Sequence, residues 1–200
     1  IFPVDKYVGG AEHAVMHLLY ARFITKVLRD CSYINFDEPF LSLVHQGTIT
    51  NNGAKMSKSR GNVVNPGTFT EQYGGDVFRL YLMFMRPYNE SGDWSDDGIQ
   101  GTWRFVSRIY QLVLDNQEML CMTKFSERYE IQKLNSFDKI LYRKTNQTMK
   151  KVEENIQDFH FNTAISSLME LLNEFTNQQT NERTNEITTW CIHKLVLMLA

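Results

Sequence analysis

Lys6-Tyr7-Val8-Gly9-Gly10-Ala11-Glu12-His13-Ala14-Val15-Met16-His17 is the stretch on which the fold class turns. Lys6 to Gly10 reads as a short strand running into a glycine turn. Ala11 to Asp30 reads as a helix, because Val15, Leu18, Leu19, Phe23 and Val27 recur at spacings of three and four and mark out an apolar face. A strand, a Gly-Gly turn and a helix make a unit of an α/β sheet, in which ligands sit beyond the carboxyl ends of the strands. Glu12, His13 and His17 therefore stand at the mouth of such a site. His13 and His17 are four apart and share a helix face. They fit a zinc pair, a capped helix start with an early acid favoured by the dipole, or a polar cluster that holds a ribose or a substrate ammonium group. A zinc pair needs a third ligand, and the glutamate here precedes the first histidine, so HExxH is absent. No metal is assigned.

Downstream, Cys31 to Glu38 is a polar connector, Pro39-Phe40-Leu41-Ser42-Leu43 reads as a helical turn, and Val44 to Thr50 as a strand. Only Asn51-Asn52-Gly53-Ala54 separate that strand from the run Lys55-Met56-Ser57-Lys58-Ser59-Arg60-Gly61-Asn62. Three cations fall within six residues there, with no acid among them. Gly53 and Gly61 permit backbone conformations closed to other residues, and the serine hydroxyls interleave the charges. Lysine is a compact point charge on a flexible stem, able to follow a phosphate as it moves. Such a loop suits the approach of a polyanion; the plain alternative is a solvated surface loop.

After it, Val63 to Gly67 is a turn. Thr68 with Glu71 forms a capping box for a short helix that ends at Gly74-Gly75. Asp76 opens a second helix, Val77 to Met85, apolar almost all round and so expected to be buried, with Asp76 and Arg79 pairing across one turn as a structural contact. Arg86 to Ser95 is a loop, with a boundary at Asp93-Trp94-Ser95-Asp96. Beyond it, helical patterns run over about 97–118, 134–158, 161–178 and 183–199 with no strand signal. Phe137, Ile140, Leu141, Thr145 and Val152 face inward by spacing. Trp103, Phe105 and Tyr110 are expected in the core. Lys139, Arg143, Lys144, Lys150 and Lys151 form basic stripes, which fit either a solvated helix face or a salt-sensitive footprint on a nucleic-acid backbone. The expected fold class is α/β followed by all-α.

Composition excludes other classes. Hydrophobic residues make up 42% of the 200, enough for a core and not a disordered composition. Lysine and arginine number 21 against 23 acids, so any nucleic-acid surface must be local. Cys31, Cys121 and Cys191 lie far apart with no CxxC pair, which argues against a zinc knuckle or disulfide framework and suits a reducing compartment. No apolar run approaches the roughly 18 residues of a membrane span, and no signal peptide is recognisable. Both ends read as cut from something longer.

Lys55-Met56-Ser57-Lys58-Ser59 resembles the signature loop of class I aminoacyl-tRNA synthetases, whose lysines stabilise the pyrophosphate leaving group of ATP. Tyr7 to Phe23 resembles the corresponding segment of leucyl-tRNA synthetases of the bacterial and organellar type. His45-Gln46-Gly47-Thr48-Ile49 is similar to their strand before the loop, although the family commonly has Met where this chain has Thr48. Many bacterial relatives insert a small domain between that strand and the loop, and this chain resembles the subset without it. Gly61 to Pro66, Tyr73 to Asp76 and Arg79-Leu80 match the family's course after the signature. Phe161 to Leu172 resembles the all-helical anticodon-binding domain of class Ia enzymes.

The resemblance implies the C-terminal part of a Rossmann-like catalytic domain over 1–95, with its signature loop at 55–59, then a truncated helical anticodon-binding domain over 96–200. It implies Lys58 first and Lys55 second as catalytic contacts to pyrophosphate. Ser57 and Ser59 would order the loop and, with Lys58, bind ATP. Glu12 would contact the adenosine ribose, and His13 and His17 would line the aminoacyl-adenylate pocket. The implied substrates are leucine, ATP carrying Mg2+, and tRNA(Leu). The remaining partner is the rest of the synthetase chain, in the cytoplasm or an organelle, with no membrane. The family's His-Ile-Gly-His-type phosphate motif and its editing domain are not in this segment, so the segment alone is expected to be inactive. A stand-alone helical tRNA- or RNA-binding module with a vestigial α/β part is an alternative. Another is a nucleotidyl transferase with a similar loop. A valyl or isoleucyl enzyme is disfavoured by Glu12-His13 and His17.

Overall fold

The computed structural model describes residues 2–124, 126, 129–177 and 184–200. The chain divides into two compact units, Ile1–Val64 with Tyr88–Trp94, and Asn65–Pro87 with Ser95–Ala200.

In the first unit, β1 (Tyr7–Gly9) leads through a 3-10 turn (Ala11–Val15) into α1 (His17–Asp30), and the chain returns as β2 (Leu43–His45). β1 and β2 pair in parallel, Tyr7 opposite Leu43 and Gly9 opposite His45. This is the strand–helix–strand unit expected, with corrections. The single helix from Ala11 is a 3-10 turn followed by an α-helix, with the break at Met16 (φ −117°, ψ −105°); 3-10 turns are frequent at helix N-termini. The expected helical turn at 39–43 is extended, since Phe40 bridges Val4 in parallel and β2 already begins at Leu43. The polar connector is tied to α1. The Arg22 guanidinium donates to both carboxylate oxygens of Glu38 at 2.7 and 2.6 Å, and Arg29 pairs with Asp37.

The apolar face of α1 is not covered in the way its periodicity suggests. Leu18 and Thr25 are buried, whereas Val15 is 76% and Phe23 63% exposed, and Leu19 and Val27 also face solvent. A two-stranded sheet buries only one narrow stripe of a helix, and parallel sheets ordinarily carry more strands and cover on both faces.

The expected strand over 44–50 is two strands in two sheets, interrupted at Gln46-Gly47-Thr48. The second sheet has the order β4-β3-β5, with β3 (Ile49–Asn51), β4 (Ala54–Lys55) and β5 (Gly92–Asp93). β3 and β4 are an antiparallel hairpin, and β5, inside the stretch expected to be loop, pairs parallel to β3. Asn52 (φ 53°) and Gly53 (φ 73°) are both left-handed. That is the conformation a two-residue I′ hairpin turn demands and Asn-Gly favours.

The second unit is helical. α2 (Pro66–Tyr73) is capped by Asn65, whose side chain accepts from the Gly67 N–H, with Pro66 in the first turn. The expected cap at Thr68 is displaced because proline's fixed φ suits the first helical position. α3 (Gly75–Phe84) buries Val77 and Tyr81 but leaves Met83 exposed, so it is half-buried and not enclosed. α4 (Gly98–Asp115) and α5 (Gln117–Met122) replace the single helix expected to 118, the break falling at Asn116. α6 (Ser136–Gln157), α7 (Phe161–Asn177) and α8 (Asn185–Leu199) follow the expected spans closely. Positions 178 and 183, where two of those patterns end and begin, lie outside the described residues.

The core is formed by Leu141 and Val152 of α6, Leu168, Leu171 and Leu172 of α7, Trp190, Ile192 and Leu195 of α8, and Phe105 and Ile109 of α4. Trp103 and Tyr110, expected there, are 46% and 66% exposed, and Ile140 is also exposed. Buried Asp138 joins two helix starts. Its carboxylate accepts from the Asn135 side chain and from the Thr184 N–H, and these two residues cap α6 and α8. Cys31 and Cys121 are exposed thiols, one in each unit, and Cys191 is buried in α8.

Candidate functional site

The first unit gathers the chemistry at two places. At the carboxyl end of β1, Tyr7 organises both histidines. Its hydroxyl lies 3.1 Å from His17 Nδ1. The Tyr7 ring stacks on His17 at 5.5 Å and 16°, meets His13 edge-on at 6.5 Å, and packs on Phe40 at 4.7 Å. His13 Nδ1 is buried without a hydrogen-bond partner among the described residues. His45, at the end of β2, lies with Nδ1 3.4 Å from the Gly9 carbonyl. Glu12 is exposed, its carboxylate folded back over Gly10. Glu12, His13 and His17 thus sit together beyond a parallel strand, where an α/β sheet takes its ligands. Among the described residues no group of three or more His, Cys, Asp or Glu side chains is placed to hold a metal ion.

The second place is the loop that follows β4. Lys55 closes that strand, and Lys58 opens a 3-10 turn (Lys58–Arg60) that ends at left-handed Gly61 (φ 68°). Lys55, Lys58 and Arg60 are exposed, and among the described residues none of them is in an ion pair. Ser57 and Ser59 lie hydroxyl to hydroxyl at 2.8 Å. The Asn62 side chain accepts from the Ser57 N–H at 2.9 Å and donates to the Lys55 carbonyl at 3.3 Å. At the hairpin, Asp93 accepts from the Thr50 hydroxyl at 2.8 Å and the Gly53 N–H at 3.0 Å. Those donors, the Gly53 N–H foremost, hold its carboxyl below the usual range. The arrangement presents three uncompensated cations and two hydroxyls on a backbone that is hydrogen-bonded internally, and it is suited to an anion with several phosphate oxygens.

Tyr7, Asn51, Asn62 and Asp93 escape a reading of the sequence by residue chemistry. Asn52-Gly53 carried the signal for the hairpin of β3 with β4, but nothing in it pointed to the parallel partner strand at Asp93.

In the helical unit the basic stripes are partly neutralised. Lys144 pairs with Glu170 across to α7 at 3.1 Å, and Lys150 with Glu154 at 3.7 Å. Arg143 and Lys151 face solvent. A groove of about 500 Å³ is lined mostly by apolar residues, Leu80, Met83, Val106, Val196 and Leu199, with Asp76 and Arg79 also in its wall, and holds none of these basic groups. No helix among the described residues is long and apolar enough to cross a membrane.

Residues 1–95 match the family of tRNA synthetases class I (I, L, M and V), and residues 138–200 match the anticodon-binding domain of tRNA ligases. The chain is 53% identical over 174 residues to the leucine–tRNA ligase of Caldanaerobacter subterraneus, covering 86% of this chain and 21% of that protein. It is 51% identical over 172 residues to that of Thermotoga maritima, covering 86% and 20%. It spans about a fifth of the length of these curated relatives. Among solved structures, the ternary complex of an Agrobacterium radiobacter LeuRS with tRNA and LeuAMS aligns over 100% of this chain and 26% of that one, with a TM-score of 0.91 and 36% identity. Methionyl-tRNA synthetase of Mycobacterium tuberculosis aligns with a TM-score of 0.70 at 19% identity, a likeness of fold alone, over 99% of this chain and 41% of that one.

Proposed function

We propose that the chain is the part of a leucine–tRNA ligase, a class I tRNA synthetase, that carries the signature loop and the start of the anticodon-binding domain; the matches of residues 1–95 and 138–200 support that reading. In that reading the whole enzyme condenses leucine with Mg2+-bound ATP to leucyl-adenylate and then esterifies tRNA(Leu), in the cytoplasm or an organelle. Residues 1–95 are the C-terminal part of the catalytic domain and 96–200 the helical part. The observation that carries the reading is the loop itself, with Lys55, Lys58 and Arg60 in no ion pair among the described residues and two serine hydroxyls between them.

A leucine carboxylate needs no base to attack the α-phosphorus. The bond to the β-phosphate oxygen breaks, and negative charge gathers on departing pyrophosphate. Catalysis there is positioning and charge stabilisation. Lys58 is the first contact for that charge and Lys55 the second, with Ser57 and Ser59 ordering the loop around them. Glu12 meets the adenosine ribose, and His13 and His17, held against Tyr7, line the adenylate pocket. The unpaired Nδ1 of His13 supports a polar ligand there.

Leucine-dependent ATP–pyrophosphate exchange in the whole synthetase tests this reading. Lys58→Ala should lower kcat about a hundredfold while moving the KM for ATP less than about threefold, because a contact made only in the transition state acts on the rate. An unchanged kcat would exclude Lys58 from the role. The isolated 200-residue chain serves as the blank.

A further inference from the structure

We infer that Asn62 is a positioning residue for the two lysines of the loop. Its carboxamide uses both ends within one turn of chain. Oδ1 accepts from the Ser57 N–H at 2.9 Å and Nδ2 donates to the Lys55 carbonyl at 3.3 Å, so the loop closes around it on either side of Met56. The left-handed conformation of Gly61 is what brings Asn62 back beneath the loop. The Asn62 carbonyl in turn accepts from the Asn51 side chain at 3.0 Å, which fastens the loop's exit to β3. That strand's far side is held by Asp93 through Thr50 and Gly53. Two further bonds, Arg60 N–H to the Ser57 carbonyl and Gly61 N–H to the Lys58 carbonyl, complete the turn that carries Lys58.

The spacing between Lys55 and Lys58 is therefore fixed through the backbone by one half-buried side chain, and neither ammonium group is in an ion pair among the described residues. Charges that stabilise a leaving group act best when no reorganisation accompanies the reaction. A loop without this closure would have to find the same spacing at each turnover. The inference rests on the reading of Lys55 and Lys58 as pyrophosphate contacts.

The test is ATP–pyrophosphate exchange in the whole synthetase with Lys58→Ala, Asn62→Ala, Asn62→Asp and Asn51→Ala side by side. Asn62→Ala should lower kcat about tenfold with the KM for ATP within about threefold. Asn62→Asp keeps the acceptor for the Ser57 N–H but loses the donor to the Lys55 carbonyl, so it should also turn over more slowly than wild type, though faster than Asn62→Ala. A slow Lys58→Ala beside a wild-type kcat for Asn62→Ala would overturn the inference and leave the proposed function standing. A wild-type kcat for Lys58→Ala would exclude Lys58 from its role and, with it, the reading on which this inference rests. For Asn62→Ala, a rise in the KM for ATP without a fall in kcat would also overturn the inference, since that is ground-state binding. If Asn62→Ala fails to fold, Asn62→Asp and Asn51→Ala decide: slower turnover in both supports the inference, and wild-type turnover in both overturns it.

Discussion

Asp93 takes hydrogen bonds from the Thr50 hydroxyl and the Gly53 N–H on the turn that precedes the lysine loop. Its carboxyl is held below the usual range, so its contribution to the hairpin is complete above the ordinary aspartate value of about 3.9 and is lost as pH falls through the lowered one. The Gly53 amide chemical shift should therefore stay flat above about pH 5 and move only below about pH 4. An inflection above pH 5 would show that Asp93 is not the anchor. At this scale the sequence was legible where a residue's own chemistry announces it. Lys55, Lys58 and the histidine pair could be picked out because cations without acids and imidazoles four apart are unusual. Asn62 and Asp93 could not, because asparagine and aspartate are common in loops and their value here depends on which backbone groups come within reach.

Helix spans were legible because α6, α7 and α8 repeat their apolar positions over many turns. The caps of α6 and α8, Asn135 and Thr184, are residue types suited to that position, though the spacing alone did not single them out. The strands were not legible, since segments of two or three residues carry too little alternation to reveal a break at Gln46-Gly47-Thr48 or the change of sheet after it. What no pattern could supply is the link between helices. Asp138 serves the starts of both α6 and α8 from a buried position. Asp138→Ala removes the carboxylate that accepts from the Thr184 N–H and the Asn135 side chain, and should cost about 1–3 kcal/mol in urea unfolding followed by helical circular dichroism. A loss under about 0.5 kcal/mol would mean that water satisfies both donors.

Across the whole molecule, the helical unit encloses a continuous core while α1 leaves an apolar stripe in solvent, with Val15, Leu19, Tyr20, Phe23 and Val27 all exposed. Periodicity states which face of a helix seeks cover and is silent on whether the chain holds the covering element. The isolated 200-residue chain should therefore bind an apolar dye such as ANS in its folded state. Phe23→Ser should cut that signal with a stability change within about 0.5 kcal/mol, as expected for an exposed site. Unchanged fluorescence would place the dye elsewhere, with the groove beside Leu80 and Met83 the next candidate. The distribution of thiols has a practical consequence. With Cys31 open in one unit, Cys121 open in the other and Cys191 sealed in α8, native maleimide labelling takes up two dyes per chain, and the third site reacts only on unfolding. The 200-residue chain thus carries one spectroscopic handle per unit, and a donor–acceptor pair follows their separation in solution with no engineered cysteine.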